Sequence, residues 1–333
     1  MKVRIGPVLT VTLAPAVDWT VSVEGFELGG VNRAVSSTRE ASGKGVNVAW
    51  ALSRAGVPVD VLVPGAGTAS AFIDDELERA GIPHRTVPTR RETRTNITLR
   101  VPGSSTKINE PAPALSEDEL AEVTREVRAR AASAEVVALC GSLPASVPAA
   151  TYAGLIEAAR AANPDLRVVL DTSGEPLALA LAARPDLVKP NVDELAELTG
   201  RTIGTLGDVR SAAEQAMEMG AGAVLASLGA DGSLLVTPEG AFRAVSRDIP
   251  VSNSVGAGDA LLAGFIAGGD FGPRSLGTAA LWAASAVSAA TTLFPVREEF
   301  TERIAVAGDP DPAIALTEPS RPLSKTPGPL TAG

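Results

Sequence analysis

Asp259 follows the glycine turn Gly256, Ala257 and Gly258 and opens the apolar run ALLAGF. A glycine turn before a helix leaves backbone N–H groups free at the positive end of the helix dipole, where an anion can be held. A carboxylate at the same point does not suit anion binding alone. It suits a reaction in which a bound phosphate is attacked by a hydroxyl that must first lose a proton, so residues 253–265 point to phosphoryl transfer with Asp259 as the base. The pattern also fits an ordinary helix start, because GxG turns are common in α/β proteins and Asp is favoured in a first helical turn.

Other polar constellations share this double reading. Gly43, Lys44 and Gly45 form a second glycine turn, followed by Asn47 and an apolar stretch. It lacks the GxxxxGK[ST] spacing of a P-loop. It can hold a polar ligand through backbone N–H groups, the Lys44 ammonium and the Asn47 amide, or be a helix start with a solvated lysine. In KPNVDEL, Lys189 precedes Asn191, and Glu194 stands three residues after Asn191. That spacing fits a capping box. It equally fits a polar cluster near a nucleotide phosphate and Mg²⁺, with Glu194 acting through metal-bound water. Ser227, Gly229 and Gly232 lie in SLGADG, a hairpin turn or the wall of an adenine-nucleotide pocket at the carboxyl end of a sheet. Arg94, Asn96, Lys107 and Asn109 are polar positions in two β-like stretches. Arg94 suits bidentate contact with a sugar phosphate, and each of the four is otherwise a surface residue.

The elements that must position these groups read as alternating strand and helix. Apolar runs at 8–13, 59–63, 136–139, 167–170, 187–188 and 223–226 predict strands, and 151–162, 193–198 and 207–219 predict helices. Such alternation predicts a parallel sheet covered on both faces. Two segments, 18–39 and 86–107, hold short alternating pieces and predict an inserted antiparallel lid, or else surface decoration. Residues 276–294 carry no charge, but their Ala, Ser and Thr content and the lack of flanking cations predict a buried core helix. From about residue 308 the chain is rich in Pro, Gly, Ser and Thr, which predicts one domain over 1–308 and a mobile tail over 309–333 with no catalytic role.

Composition narrows the function classes. Of 333 residues, 45% are hydrophobic but only 3% aromatic, so the core must be built from Ala, Val and Leu. With 29 basic against 39 acidic residues the net charge is −10, and no basic tract offers a surface for nucleic acid. The one cysteine, Cys140, excludes an intramolecular disulfide and a cysteine zinc cluster. The one histidine, His84, lies in the turn-like GIPHR without a GxSxG elbow, which argues against a Ser-His-Asp triad. The N-terminal residues read as a first strand without a secretory apolar region, which predicts a cytoplasmic protein.

Taken in order, TLAPAVD, SGKGVNVA, KPNVDEL, SLGADG and NSVGAGDALLAG resemble the motifs of the ribokinase/phosphofructokinase-B family of carbohydrate kinases, across roughly residues 3–305. TRTNI, TKINEPAP, GSLPASVP and DTSG resemble the branch of that family that acts on phosphorylated ketohexoses. The resemblance implies a ribokinase-like three-layer α/β sandwich with a mostly parallel central sheet and a small antiparallel β lid. It implies Asp259 as base, with the N–H groups of Gly256, Ala257 and Gly258 as the anion hole. Asp18, Gly43, Lys44 and Asn47 match sugar-binding positions, and Arg94 a lid contact to the substrate phosphate. Arg33, Lys107 and Ser142 are further substrate-side positions. Lys189, Asn191, Ser227, Gly229, Gly232 and Ser254 fall on the nucleotide side, and Glu194 on Mg²⁺ through water. The implied reaction is ATP-dependent phosphorylation of a ketohexose phosphate, fructose 1-phosphate to fructose 1,6-bisphosphate. Fructose 6-phosphate and tagatose 6-phosphate are alternative acceptors, and a non-catalytic sugar-phosphate or nucleotide sensor is the alternative outside enzymes. The resemblance also implies a homodimer paired through the lid. Ala14, Ser42, Cys140, Ala112 and Ser254 depart from the usual family residues, and Ala14 removes an amide near the sugar site.

Overall fold

The structure is a computed structural model that describes residues 5–252, 255–289 and 294–321. The chain begins with β1 (Val8–Val11), β2 (Ala16–Ser22), β3 (Ser36–Ser42) and α1 (Lys44–Arg54). β4 (Val59–Gly65), α2 (Gly67–Arg79), β5 (His84–Pro88), β6 (Arg94–Val101), β7 (Ser104–Asn109) and α3 (Glu117–Ala131) follow. Next come β8 (Val136–Cys140), α4 (Thr151–Ala162), β9 (Arg167–Asp171), α5 (Gly174–Ala180), β10 (Leu187–Val188) and α6 (Val192–Thr199). The last elements are α7 (Leu206–Glu218), β11 (Val224–Ser227), β12 (Ser233–Thr237), β13 (Gly240–Ser246), α8 (Ala257–Gly268), α9 (Pro273–Val287) and β14 (Ile304–Gly308).

The large sheet has the order β14-β13-β12-β11-β10-β9-β8-β1-β4-β5. β5, β4, β1, β8, β9, β10 and β11 pair in parallel, and β12, β13 and β14 add an antiparallel edge. Every residue of β1 and β8 is buried, because helices cover both faces; this is why those strands read as continuous apolar runs. Alternate residues feed two cores. Val136, Ala138 and Cys140 join the core under α1, α2, α8 and α9, whereas Val137 and Leu139 join the core under α3 to α7. Among the described residues no helix is long and apolar enough to cross a membrane. The expected buried helix of 276–294 is the later part of α9, and its residues 290–293 lie outside the described set.

The small sheet has the order β3-β2-β6-β7. β2–β3 and β6–β7 pair antiparallel, and a parallel β2–β6 ladder joins the two hairpins. Its strands begin and end differently from the sequence reading. Thr86 pairs with Val63 and Val87 is buried, so this piece closes the edge of the large sheet, and the second lid segment starts at Arg94.

The mobile tail expected from residue 309 is corrected for residues 309–321. Leu316 and Ser320 are buried there, and Ala315 bridges Thr205. The N–H groups of Leu206 and Gly207 have no acceptor inside α7, and the carbonyls of Ile314 and Pro312 accept them, each at 2.9 Å. A composition unfit for helix or strand can still dock wherever another element needs acceptors.

Candidate active site

The carboxyl ends of the parallel strands bring chemistry from distant parts of the chain together. β9 ends on Asp171, which is fully buried. Its Oδ1 lies 2.8 Å from Lys44 Nζ at the start of α1, and its Oδ2 lies 3.3 Å from Lys189 Nζ just after β10. The Lys189 ammonium in turn lies 3.5 Å from the point where a Cβ on Gly258 would stand. Asn47 Nδ2 donates to Asp259 Oδ2 at 2.8 Å. One carboxylate therefore ties both lysines together, and one amide ties the proposed base to the second glycine turn.

The turn conformations follow from the glycines. Gly256 adopts φ 80° at the N-cap of α8, and no side chain caps that helix among the described residues. The first amides of α8 therefore keep their donors for a ligand. Gly45 has no room for a side chain, since a Cβ would stand 2.5 Å from Thr12 Oγ1. Thr12 Oγ1 instead accepts the Gly45 N–H at 3.0 Å, which fixes the entry of α1 against the end of the first strand.

The electrostatics separate the roles. Desolvation, then the nearby charge of Asp171, raises the Asp259 carboxyl from 3.8 to about 6, against the opposing pull of Asn47, Lys189 and Lys44. Burial lowers the Lys44 ammonium, but Asp171, Glu194 and Asp259 outweigh it and hold the group protonated above its ordinary range. Burial, then Asp171 and Asp259, pushes the Cys140 thiol up, so it lies neutral beneath the site.

Within the small sheet, Asp18 accepts from Ser42 Oγ at 2.7 Å and from Asn96 Nδ2 at 3.0 Å. The small sheet thus holds Asp18 from both neighbouring strands, and Ser42 stands two residues before Lys44. Arg94 Nη2 donates to the Ala14 carbonyl at 3.2 Å and Nη1 to the Glu110 carbonyl at 3.1 Å, while its buried Nε has no hydrogen-bond partner among the described residues. Arg33 and Lys107 are exposed, and among the described residues their side chains make no hydrogen bond or ion pair. Ser142 is exposed directly after Gly141.

On the other side, both parts of the capping box form. Asn191 Oδ1 accepts the Glu194 N–H at 2.8 Å, and Glu194 Oε2 accepts the Asn191 N–H at 2.9 Å. Asn191 bridges Ser227, whose N–H donates to the Pro190 carbonyl at 3.0 Å. Gly232 adopts φ 92°, and a Cβ there would stand 2.1 Å from the Ala244 carbonyl oxygen. Ser254 lies outside the described residues. Among the described residues no group of three His, Cys, Asp or Glu side chains suits a metal ion.

Asp171 is the functional candidate to which the sequence reading assigned no role. Its signal was present: a charged residue closing a strand buried on both faces needs a partner. Thr12 carried no comparable signal, a threonine at a strand end being common, and Asp231 lies inside SLGADG without a local mark that sets it apart.

A parallel sheet with glycine-opened helices at its carboxyl edge, a flanking small sheet and a raised carboxylate beside a glycine turn fit a sugar-kinase architecture. The chain belongs to the pfkB family of carbohydrate kinases, whose model matches residues 10–294. It is 41% identical over 299 residues to the 1-phosphofructokinase of Rhodobacter capsulatus, covering 89% of this chain and 93% of that one. It superposes on the tetrameric inhibited form of phosphofructokinase-2 from Escherichia coli with a TM-score of 0.79 and 30% identity, covering 90% of this chain and 97% of that one. The same enzyme in complex with fructose-6-phosphate superposes with a TM-score of 0.78 and 31% identity, again over 90% of this chain and 97% of that one.

Proposed function

We propose that this chain transfers the γ-phosphoryl group of ATP to the C6 hydroxyl of fructose 1-phosphate, giving fructose 1,6-bisphosphate and ADP in the cytoplasm. The observation that carries the chemistry is Asp259, a carboxylate raised to about 6 in the first turn of α8, whose N-terminal amides no side chain caps among the described residues. The substrate follows from the relative that shares 41% identity over 299 residues.

In this reading the C6 hydroxyl gives its proton to Asp259 as its oxygen attacks in line. The N–H groups of Gly256, Ala257 and Gly258 receive the charge spread over the transferring oxygens, with the Lys189 ammonium beside Gly258. Asn47 orients the base, and Asp171 holds Lys44 and Lys189 in place. Asp18 and Lys44 bind the sugar, and the unpartnered Arg94 Nε, with Arg33, Lys107 and Ser142, lies on the substrate side. Asn191, Ser227, Gly229, Gly232 and Ser254 bind the nucleotide. Mg²⁺ arriving with ATP would neutralise charge on the phosphates. A donor set of one carboxylate, Glu194, fits an ion that keeps its waters and phosphate oxygens as ligands.

A second reading, phosphorylation of fructose 6-phosphate or its tagatose epimer, is favoured by the likeness to the fructose-6-phosphate complex. Initial rates of ADP release with fructose 1-phosphate, fructose 6-phosphate and tagatose 6-phosphate separate the two. The highest kcat/KM is expected with fructose 1-phosphate. Preference for a 6-phosphate overturns the substrate, and no sugar-dependent ADP release favours a sensor.

The lid supports pairing of two copies. Phe26, Leu28, Val31, Val35 and Ile108 are large apolar residues exposed on the small sheet and its connecting loop, by 54% to 91% of their surface. A lid-to-lid homodimer would cover them.

A further inference from the structure

Residues 309–321 lie beyond the stretch matched by the family model, 10–294, yet they are held against the fold at three separate places, α7, α6 and the 229–231 turn. Their carbonyls cap the first amides of α7. Arg321 reaches Asp193 of α6 through its N–H at 2.8 Å and its guanidinium at 3.4 Å. Between these anchors, Thr317 clamps the 229–231 turn. Its N–H donates to Asp231 Oδ2 at 2.6 Å and its hydroxyl to Asp231 Oδ1 at 2.9 Å. Both oxygens of one carboxylate are thereby committed to one residue of the strap. Arg243, from β13, holds the Asp231 carbonyl from the other side, with Nη2 at 3.0 Å and Nε at 3.3 Å.

The turn closes through its own backbone, with the Asp231 N–H donating to the Leu228 carbonyl at 3.1 Å and the Leu228 N–H to the Gly232 carbonyl at 2.9 Å, but no side chain of the turn is buried to hold it in place. It is a single three-residue 3₁₀ turn with no buried residue, entered through Gly229 at φ 58°. Next to the clamp, the Glu318 carboxylate lies 3.3 Å from the point where a Cβ on Gly229 would stand. An ionised carboxylate accepts hydrogen bonds and repels phosphate. Beside a nucleotide-binding turn it matches the donor-bearing end of the ligand, a ribose hydroxyl or an exocyclic amine, and directs the triphosphate away toward α8.

We propose that the strap is a wall of the nucleotide subsite: the Asp231–Thr317 clamp positions the turn, and Glu318 accepts hydrogen bonds from the nucleoside end of ATP. This rests on the kinase reading above and adds to it a segment outside the shared family core. Asp231 and Thr317 are positioning residues, since they act through the turn.

The test is calorimetric titration of the full chain with ATP alone, paired with steady-state kinetics. Thr317→Val keeps the shape of the side chain and removes the hydroxyl donor to a charged acceptor. It is expected to weaken ATP binding and raise the KM for ATP by about five- to tenfold, with kcat and the KM for fructose 1-phosphate within about twofold. Thr317→Ser restores the hydroxyl and is expected to restore affinity. Glu318→Ala is expected to weaken adenosine as well as ATP. A Thr317→Val protein that melts at lower temperature but binds ATP like the wild type overturns the clamp and leaves the strap a purely structural brace. Equal loss of the sugar-phosphate KM also overturns it. A wild-type chain that binds no ATP overturns the kinase reading itself, an outcome distinct from both.

Discussion

Asp259 combines two properties that oppose each other in an ordinary surface carboxylate. At about 6 it is basic enough to take a proton from an alcohol in the transition state, yet it is still ionised at neutral pH. The rate should therefore fall as pH drops through about 6, and a pH profile of kcat with one acidic limb there checks it. Asn47 donates to the charged form, so Asn47→Ala should move that limb to higher pH; an unmoved limb would remove Asn47 from the tuning of the base. Asp259→Asn should lower kcat by about 10² to 10⁴-fold while an ATP titration changes little. The same shift has a stability sign. The folded carboxyl binds its proton more tightly than the unfolded one, whose ordinary value is 3.8, so stability declines as pH rises from 3.8 through about 6. Asp259→Asn should accordingly melt no lower than the wild type at pH 7, with its relative advantage lost in acid. A marked fall in melting temperature at neutral pH would show that the carboxylate is needed for the fold.

Among the elements, β9 and the turns after β10 and β11 decide the shape of the site. Asp171 and Lys189 are both buried, and removing one partner of such a pair strands the other charge. Asp171→Ala should cost about 3–5 kcal/mol in denaturant unfolding, mostly through the stranded Lys189, and should also impair turnover. A near-neutral result would mean that water reaches Lys189. Gly232→Ala places a methyl group against the Ala244 carbonyl in a backbone region that disfavours side chains, and should cost about 1–3 kcal/mol or more. Such elements were partly legible in the sequence. The boundaries of α4 match the predicted 151–162, and α6 and α7 lie within a residue or so of theirs, because N-caps, glycines and apolar spacing are local signals. The residues 86–88 were misassigned to the lid because a short alternating strand looks the same at the edge of either sheet.

Across the whole molecule, the two sheets have different surfaces. The central strands β1 and β8 of the large sheet are buried by helices on both faces, whereas β7 is exposed along its length at the edge of the small sheet. Exposed strand edges and apolar patches invite pairing, and the proposed homodimer through the lid would cover both. Leu28, with 91% of its surface exposed, can accept a charge without disturbing the monomer, so Leu28→Lys should shift the mass measured by light scattering from dimer toward monomer. A wild-type mass of one chain at assay concentration would remove the dimer. The docked residues 309–321 belong to this scale too. Their Pro-rich composition signals only that they form no helix or strand, and says nothing of whether another surface needs their carbonyls.

The sequence alone determined what neighbouring residues can encode: the glycine turns, the capping box, the apolar strands and the order of motifs that single out Asp259 as the proposed base. The tertiary structure decided which of these groups meet. Asn47 reaches Asp259 across 212 positions of chain, and Lys44 reaches Asp171 across 127. Those pairings depend on strand order and crossovers, which arise from burying both faces of one sheet, and no local spacing records them. The glycine turn at 256–258 was legible from its residues, while the carboxylate pulled to about 6 beside it was created by packing.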